Sequence, residues 1–300
     1  MQRRIFWREF LFMWGGVVTV TTLSFLLVDF PPAALALQLF VPFHSQYMVV
    51  MLIAVIVQVG VQFAVATSVG LWAAHQVGLG APILEAWLGS KHVGRNLLPP
   101  LVPILVTALV AAMFWNLPNL SIFHPNQKQM AAEVTEFSNS PAGAKAGDEL
   151  GKLAARRHVT AVSLTVSYLD AAINSELYDR LFMVSVFALL ISQVGGRGSA
   201  AARRKMLLGA VLAVTLLGTA NRLLQEWTAT QIYSRALKGI QITHDPFWLI
   251  AVRHLLLRVP SNLGFGWLYI QYGIESSILA SFIAAVAAYL FFIFVLIHFL

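Results

Sequence analysis

The sequence predicts an all-α polytopic membrane protein that crosses the bilayer about seven times, within a range of six to eight. Hydrophobic residues make up 58% of the chain and charged residues only 11%, whereas soluble globular domains carry about 25% charged residues. The mean hydropathy is +0.75. Apolar runs close to the roughly 20 residues that a helix needs to cross a bilayer recur along the chain. These observations exclude an ordinary soluble domain.

The composition also limits the chemistry and the partners. The chain contains no cysteine, which excludes disulfides, thiolate metal sites and cysteine nucleophiles. A pI of about 9.9 would suggest nucleic-acid binding in a soluble protein. Here the basic residues are concentrated in short loops between apolar segments, so membrane topology explains them. We therefore predict the lipid bilayer as a partner, and no nucleic acid.

Seven apolar segments are predicted to cross the membrane, with no internal repeat of fixed period. Their approximate bounds are 10–28, 47–74, 98–115, 159–194, 206–223, 246–272 and 276–299. The fourth is long enough to be tilted or broken near Asn174. The sixth contains Arg253, His254 and Arg258, so we expect its first half to lie in the interface and its second half to cross. A polar linker is predicted to connect the fifth and sixth segments.

Residues 1–300 are predicted to form one integral membrane domain, with a long and partly helical extramembrane loop at about 116–158. The N-terminal MQRRIFWREF is basic and leads into an apolar run without a cleavage site, so we expect a retained first helix. Nine Lys and Arg residues lie in the loops on its side of the membrane. The other side carries seven, five of them in the long loop, where charge has little effect on topology. The N-terminus is therefore predicted to be cytoplasmic.

The most informative stretch is SYLDAAINSELYDRLFMVSVFALL, residues 167–190. Glu176 and Arg180 stand four residues apart, so on a helix their side chains meet on one face. Charges within a membrane-spanning segment are costly and usually face a bundle interior or a wet cavity. The pair indicates a functional site, or alternatively a neutral pair that only holds two helices together. Asp170 and Asp179 are predicted to be solvated acids at the helix end.

Three segments together resemble one family. They are HQVGLGAPILEAWLGS, the stretch SYLDAAINSELYDRLFMVSVFALL and NLGFGWLYIQYGIESSILASFIAAVA. In this order and spacing they resemble the CPBP family of intramembrane proteases, the CAAX-protease and bacteriocin-processing group also called Abi. The resemblance covers most of the chain from about Val69 onward. It implies a CPBP-like helical bundle and a multi-pass protein of the bacterial inner (cytoplasmic) membrane.

The family carries three motifs, EExxxR, FxxxH and HxxxN or HxxxD, which converge on a water with or without a metal. The resemblance implies that the first Glu acts as a general base with a His and that the third motif holds the oxyanion. In this chain the family-motif positions hold Ser175, Glu176, Arg180, Asn221, Ser281 and Ala285. Only the Glu and Arg of the first motif are retained.

The substituted positions argue against hydrolysis. Ser175 cannot act as a base near neutral pH, and Ala285 offers no side-chain hydrogen bond. A divalent metal needs about three His or carboxylate ligands, and only Glu176 among the matched positions qualifies. We therefore predict a pseudoprotease without a metal or cofactor. It would hold a membrane protein, peptide or hydrophobic ligand as a binding, chaperone-like or scaffold protein, or serve as an accessory subunit of a larger membrane complex.

Two enzymatic alternatives stay open at this point. An active intramembrane endopeptidase would use Glu176 with His254, in a looser register that sets Ile250-x-x-x-His254 against the second motif. A serine hydrolase would use Ser175 or Ser281, but it needs a base within hydrogen-bond reach.

The other histidines have neither paired spacing nor an HExxH pattern, so no metal site is predicted at them. They are His44, His75, His92, His124, His158, His244 and His298.

Overall fold

The computed structural model describes residues 2–28, 45–88, 100–117, 139, 161–195, 199–236 and 246–299. Within these ranges every regular element is helical and there is no strand, as predicted. The elements are α1 (Gln2–Val28), α2 (Ser45–Val77), α3 (Pro82–Leu88), α4 (Leu101–Asn116), α5 (Ala161–Glu176), a π-helical segment (Leu177–Val184), α6 (Ser185–Gly195), α7 (Ala200–Ala236), α8 (Phe247–Tyr272) and α9 (Ile274–Phe299).

Among the described residues, three helical stretches are long and apolar enough to cross a membrane. They are Ala161–Val194, Ala200–Thr228 and Ile274–Phe291. The shorter helix α4 is equally apolar, and it exposes one stripe of residues at helical spacing, namely Val102, Val106, Leu109 and Met113. An exposed apolar stripe of this kind suits contact with lipid. The lengths and compositions agree with the predicted membrane protein, whereas seven spans and a cytoplasmic N-terminus stay predictions.

Several predicted boundaries differ from the structure. Helix α7 continues to Ala236 instead of ending near Leu223, because residues 224–236 contain neither Pro nor Gly to stop it. Helix α8 is continuous through Pro260 and is not divided into an interfacial half and a crossing half. The irregularity predicted near Asn174 lies slightly later, in the π-helical segment Leu177–Val184.

Most of the predicted loop at 116–158 lies outside the described residues. The same holds for the histidines at positions 44, 92, 124, 158 and 244, and for the side chain of the histidine at position 298. What the sequence predicts for this loop and these histidines therefore stays a prediction.

Small residues bring the helices close together. Ala108 and Ala111 of α4 are buried against Ala280 and Ala284 of α9. In α2, a Cβ atom on Gly70 would lie 2.7 Å from the backbone oxygen of Leu181, so only glycine fits this approach to the π-helical segment. Small residues at helix interfaces allow the close backbone contact on which packing inside a membrane depends.

Two turns that are distant in the sequence fasten to each other. The N–H of Ile274, at the start of α9, donates to the carbonyl of Gly80, in the turn between α2 and α3 (3.2 Å). Oε1 of Glu275 accepts the N–H of Leu84 in the first turn of α3 at 2.8 Å. Glu275 therefore satisfies an amide that the short helix α3 cannot pair internally. Both turns belong to segments that carry the family resemblance.

Candidate functional site

A cavity of about 900 Å³ opens between α5 with its π-helical continuation, α7, α8 and α9. All seven residues singled out from the sequence lie on its wall, namely Ser175, Glu176, Arg180, Asn221, His254, Ser281 and Ala285. Four separate helical segments contribute them. The spacing of the three motifs along the chain thus corresponds to a common location in space, as the resemblance implies.

Glu176 is the most enclosed acid of the cavity. It is fully buried at the last position of α5, and its Oε2 atom accepts a hydrogen bond from the Ser277 hydroxyl of α9. The same oxygen lies 3.4 Å from Nε of Arg180. Oε2 of Glu176 thus contacts both the Ser277 hydroxyl of α9 and the guanidinium of Arg180, four residues further along the chain. The arrangement favours a structural ion pair.

Arg180 is held by three further groups. Its Nη2 atom donates to the side-chain oxygen of Asn262 at 2.9 Å and to the backbone oxygen of Asn262 at 3.3 Å. Its Nη1 atom lies 3.2 Å from Oδ2 of Asp179, and its guanidinium carbon lies 5.9 Å from the centre of the Phe265 ring. The guanidinium therefore links the π-helical segment to α8. A π-helical turn inserts an extra residue into a helix, and such turns are frequent at functional sites.

The four substituted motif positions supply little reactive chemistry. The Ser175 hydroxyl donates to the carbonyl of Ala172 in its own helix at 3.2 Å, so its proton is not directed at a base. Ser281 is buried, Asn221 is exposed to the cavity and Ala285 has no polar group. None of these side chains is a carboxylate or an imidazole that could take a proton near neutral pH.

His254 pairs with a residue that the sequence analysis missed. Its Nε2 atom lies 2.6 Å from Oε2 of Glu226 on α7, and the other oxygen of Glu226 is paired with Arg253. His254 is buried, and its Nδ1 atom has no hydrogen-bond partner among the described residues. The endopeptidase alternative paired His254 with Glu176. In the structure its acid partner is Glu226.

Two further arginines face the cavity. Arg222 and Arg258 line its wall, and each is close enough to feel the charge of the other. Neither has a hydrogen bond or an ion pair in the described part of the chain. The wall thus carries four arginines, including Arg180 and Arg253, against the three acids Glu176, Asp179 and Glu226. This surplus of positive charge suits an anionic group.

Asp170 is not the solvated acid that the sequence predicts. It lies outside the cavity, and its Oδ1 atom accepts hydrogen bonds from Thr21 of α1 at 2.5 Å and from Asn174 at 2.9 Å. The acid therefore ties α1 to α5. Asp179, the other predicted helix-end acid, lies on the cavity wall beside Arg180.

Glu226 could have been recognised only by extending α7, whereas Arg222 already lay at the end of the predicted fifth segment. Once the helix is continued past Leu223, positions 218, 221, 222, 225 and 226 follow a spacing of three to four residues and share one face. That face is polar and faces the cavity. The helical spacing of these polar residues was present in the sequence, but the polar composition of the residues after Leu223 favoured the prediction of a linker.

Comparison with known proteins gives no independent identification. No protein-family model, no curated protein and no solved structure matches the chain. The likeness to the CPBP family therefore rests on the three sequence segments alone.

Proposed function

We propose that this chain is a non-catalytic member of the CPBP-like intramembrane proteases, with a bundle of about seven spans, that binds a membrane-embedded peptide or protein segment in the cavity. One observation carries the proposal. The motif positions converge on one wall, yet the only retained pair, Glu176 and Arg180, is occupied by internal contacts. The chain thus has the cavity but lacks the side chains that the family motifs would supply for hydrolysis.

The charge of the wall indicates what the ligand carries. Arg222 and Arg258 line the wall and form no hydrogen bond or ion pair in the described residues, although Asp179 and Glu226 lie close enough to attract Arg258. A guanidinium binds a carboxylate through two parallel hydrogen bonds. Leu257, Phe265 and Trp115 supply apolar wall. The ligand that fits both features is a hydrophobic peptide with a free carboxylate, such as a chain terminus.

The test uses two synthetic peptides that differ in one group. The purified protein in nanodiscs is titrated with a dansyl-labelled hydrophobic peptide that ends in a free carboxylate, and with the same peptide as its amide. We expect saturable binding of the acid and about tenfold weaker binding of the amide. Arg258→Gln should remove this difference. Mass spectrometry of the mixture after incubation should show intact peptide.

A photocrosslinking variant locates the binding. Benzoylphenylalanine at Ala171 of α5, which is exposed on the cavity wall, should crosslink the peptide. The same residue at Val106 of α4, which is 55% exposed and lies outside the cavity, should not. Equal binding of acid and amide by all variants, or equal crosslinking at both positions, would contradict the proposal.

A second function is favoured by one contact. Glu226 and His254 form an acid–imidazole pair at 2.6 Å on the cavity wall, and such a pair can accept and return a proton during hydrolysis. If the peptide is cleaved in the titration and cleavage disappears in Glu226→Gln, the chain is an endopeptidase that uses a base from α7. If the peptide stays intact with both the wild type and Glu226→Gln, the result favours the binding function.

A further inference from the structure

A second polar cluster lies outside the cavity, where α1, α2 and α3 meet. Glu9 comes from α1, His75 from the last turn of α2 and Glu85 from α3. Each offers one potential ligand atom, and these atoms lie within 4.8 Å of one another. His75 Nε2 is 3.4 Å from Oε2 of Glu9 and 4.0 Å from Oε1 of Glu85. One nitrogen and two carboxylate oxygens thus converge.

Glu9 points to a missing partner. Its side chain is completely buried, and apart from the His75 imidazole at 3.4 Å neither of its oxygens has a polar partner among the described residues. A buried carboxylate requires a compensating charge or several hydrogen bonds. His75 lies within ion-pair distance of Glu9, but it shares its one positive charge, when protonated, with Glu85. Two carboxylates therefore face at most one cation within the cluster.

We propose that Glu9, His75 and Glu85 bind one divalent transition-metal ion of the zinc type. A zinc ion has bonds of 2.0–2.2 Å to nitrogen and oxygen ligands, which at tetrahedral angles places the ligand atoms about 3.4 Å apart. The distance from His75 to Glu9 already has this value. The distance from His75 to Glu85 is slightly longer. The side chain of Glu85 is 42% exposed, and its Oε1 atom accepts one long hydrogen bond, from the N–H of Ala81 at 3.4 Å.

The surroundings leave room for the ion to enter and for water to complete its coordination. His75 and Glu85 line a separate cavity of about 360 Å³. A Cβ atom on Gly80 would lie 2.5 Å from Oε1 of Glu85, so the glycine makes space for this carboxylate. An imidazole among the ligands favours zinc, copper, iron or nickel over magnesium and calcium. This site departs from the sequence-based prediction of no metal, since three distant segments supply its ligands.

The test is metal binding by the full-length protein, purified in detergent and treated with a chelator. Titration calorimetry with Zn²⁺ should show one ion per chain, and Co²⁺ should give the visible absorption bands of a tetrahedral or five-coordinate site. His75→Gln and Glu85→Gln should each weaken Zn²⁺ binding by about tenfold or more. The matched control is Glu226→Gln, which alters the Glu–His pair at the cavity wall and should leave Zn²⁺ binding unchanged.

Thermal unfolding provides a second readout that does not depend on activity. Zn²⁺ should raise the unfolding temperature of the wild type and not that of Glu85→Gln, whose exposed side chain makes misfolding of this variant a minor concern. The proposal is overturned if the wild type binds no Zn²⁺, or if binding persists in both His75→Gln and Glu85→Gln. Loss of binding in Glu226→Gln would also overturn it and would move the ion to His254.

Discussion

The carboxylate of Glu226 and the imidazole of His254 meet at 2.6 Å and join α7 to α8 at the wall of the main cavity. Because the second oxygen of Glu226 is paired with Arg253, one acid holds two cationic or polar side chains of the neighbouring helix. This contact has two interpretations. It either only holds α7 and α8 together, or it serves as an acid–base pair in catalysis.

Glu226→Gln should therefore destabilise the protein. The amide retains the shape but removes the negative charge from the contacts with Arg253 and His254. We expect a loss of about 1–2 kcal/mol, after discounting for the partial exposure of Glu226. Thermal unfolding in detergent, followed by tryptophan fluorescence, measures it. The control is Gln225→Glu, a neighbouring change on the same helix. An unchanged unfolding temperature in Glu226→Gln would show that the contact contributes nothing to folding.

The pair of Glu176 and Arg180 should behave as a coupled unit. Arg180→Ala leaves a buried carboxylate without its cation and should cost about 3–5 kcal/mol. The double variant Glu176→Gln/Arg180→Gln removes both charges and should regain part of this loss, which a double-mutant cycle measures. Asp179→Asn serves as control, since its side chain is 39% exposed. Strictly additive losses would argue that the pair is not coupled.

Close packing at Gly70 should be sensitive to a single methyl group. Gly70→Ala places a Cβ atom 2.7 Å from the backbone oxygen of Leu181, and this overlap should cost about 1–3 kcal/mol. Gly60→Ala in the same helix meets nothing within 4 Å, so it should be neutral or slightly stabilising. The difference in unfolding temperature between the two variants is the measurement. Equal effects would mean that the helices separate without cost at this point.

Restoring the motif residues tests the register of the resemblance. The triple variant Ser175→Glu/Asn221→His/Ser281→His places one carboxylate and two imidazoles on the same cavity wall. We expect hydrolysis of a CAAX-type peptide to appear in this variant and to be absent from the wild type, because a base and oxyanion donors are then present. Mass spectrometry detects the fragments. Equal cleavage by both proteins would contradict the non-catalytic proposal.

The sequence indicated which residues line the cavity, but not the contacts inside it. Ser175, Asn221 and Ser281 line the same cavity as Glu176, and the family resemblance was the reason to consider these positions together. The partner of His254 was not predictable in this way. Glu226 lies in a stretch whose polar composition suggested a linker, and only the packing of α7 against α8 brings the two residues together.

The sequence analysis did not predict the cluster around Glu9, for a different reason. Metal sites are recognised in sequences by short spacings within one helix or loop. Here one carboxylate lies in the first third of α1, the histidine lies in the last turn of α2 and the other acid belongs to the short helix α3. Each residue alone is an ordinary polar side chain of a helix. Their proximity follows from tertiary structure, which local sequence patterns do not encode.

The hydrogen bond from Leu84 to Glu275 joins residues that are 191 positions apart. During synthesis the early turn at Gly80 emerges long before the residue that completes it. The seven-residue helix α3 therefore acquires this hydrogen bond only after the first turn of α9 has been synthesised. A product truncated before α9 would lack this bond and also the bond from Ile274 to Gly80.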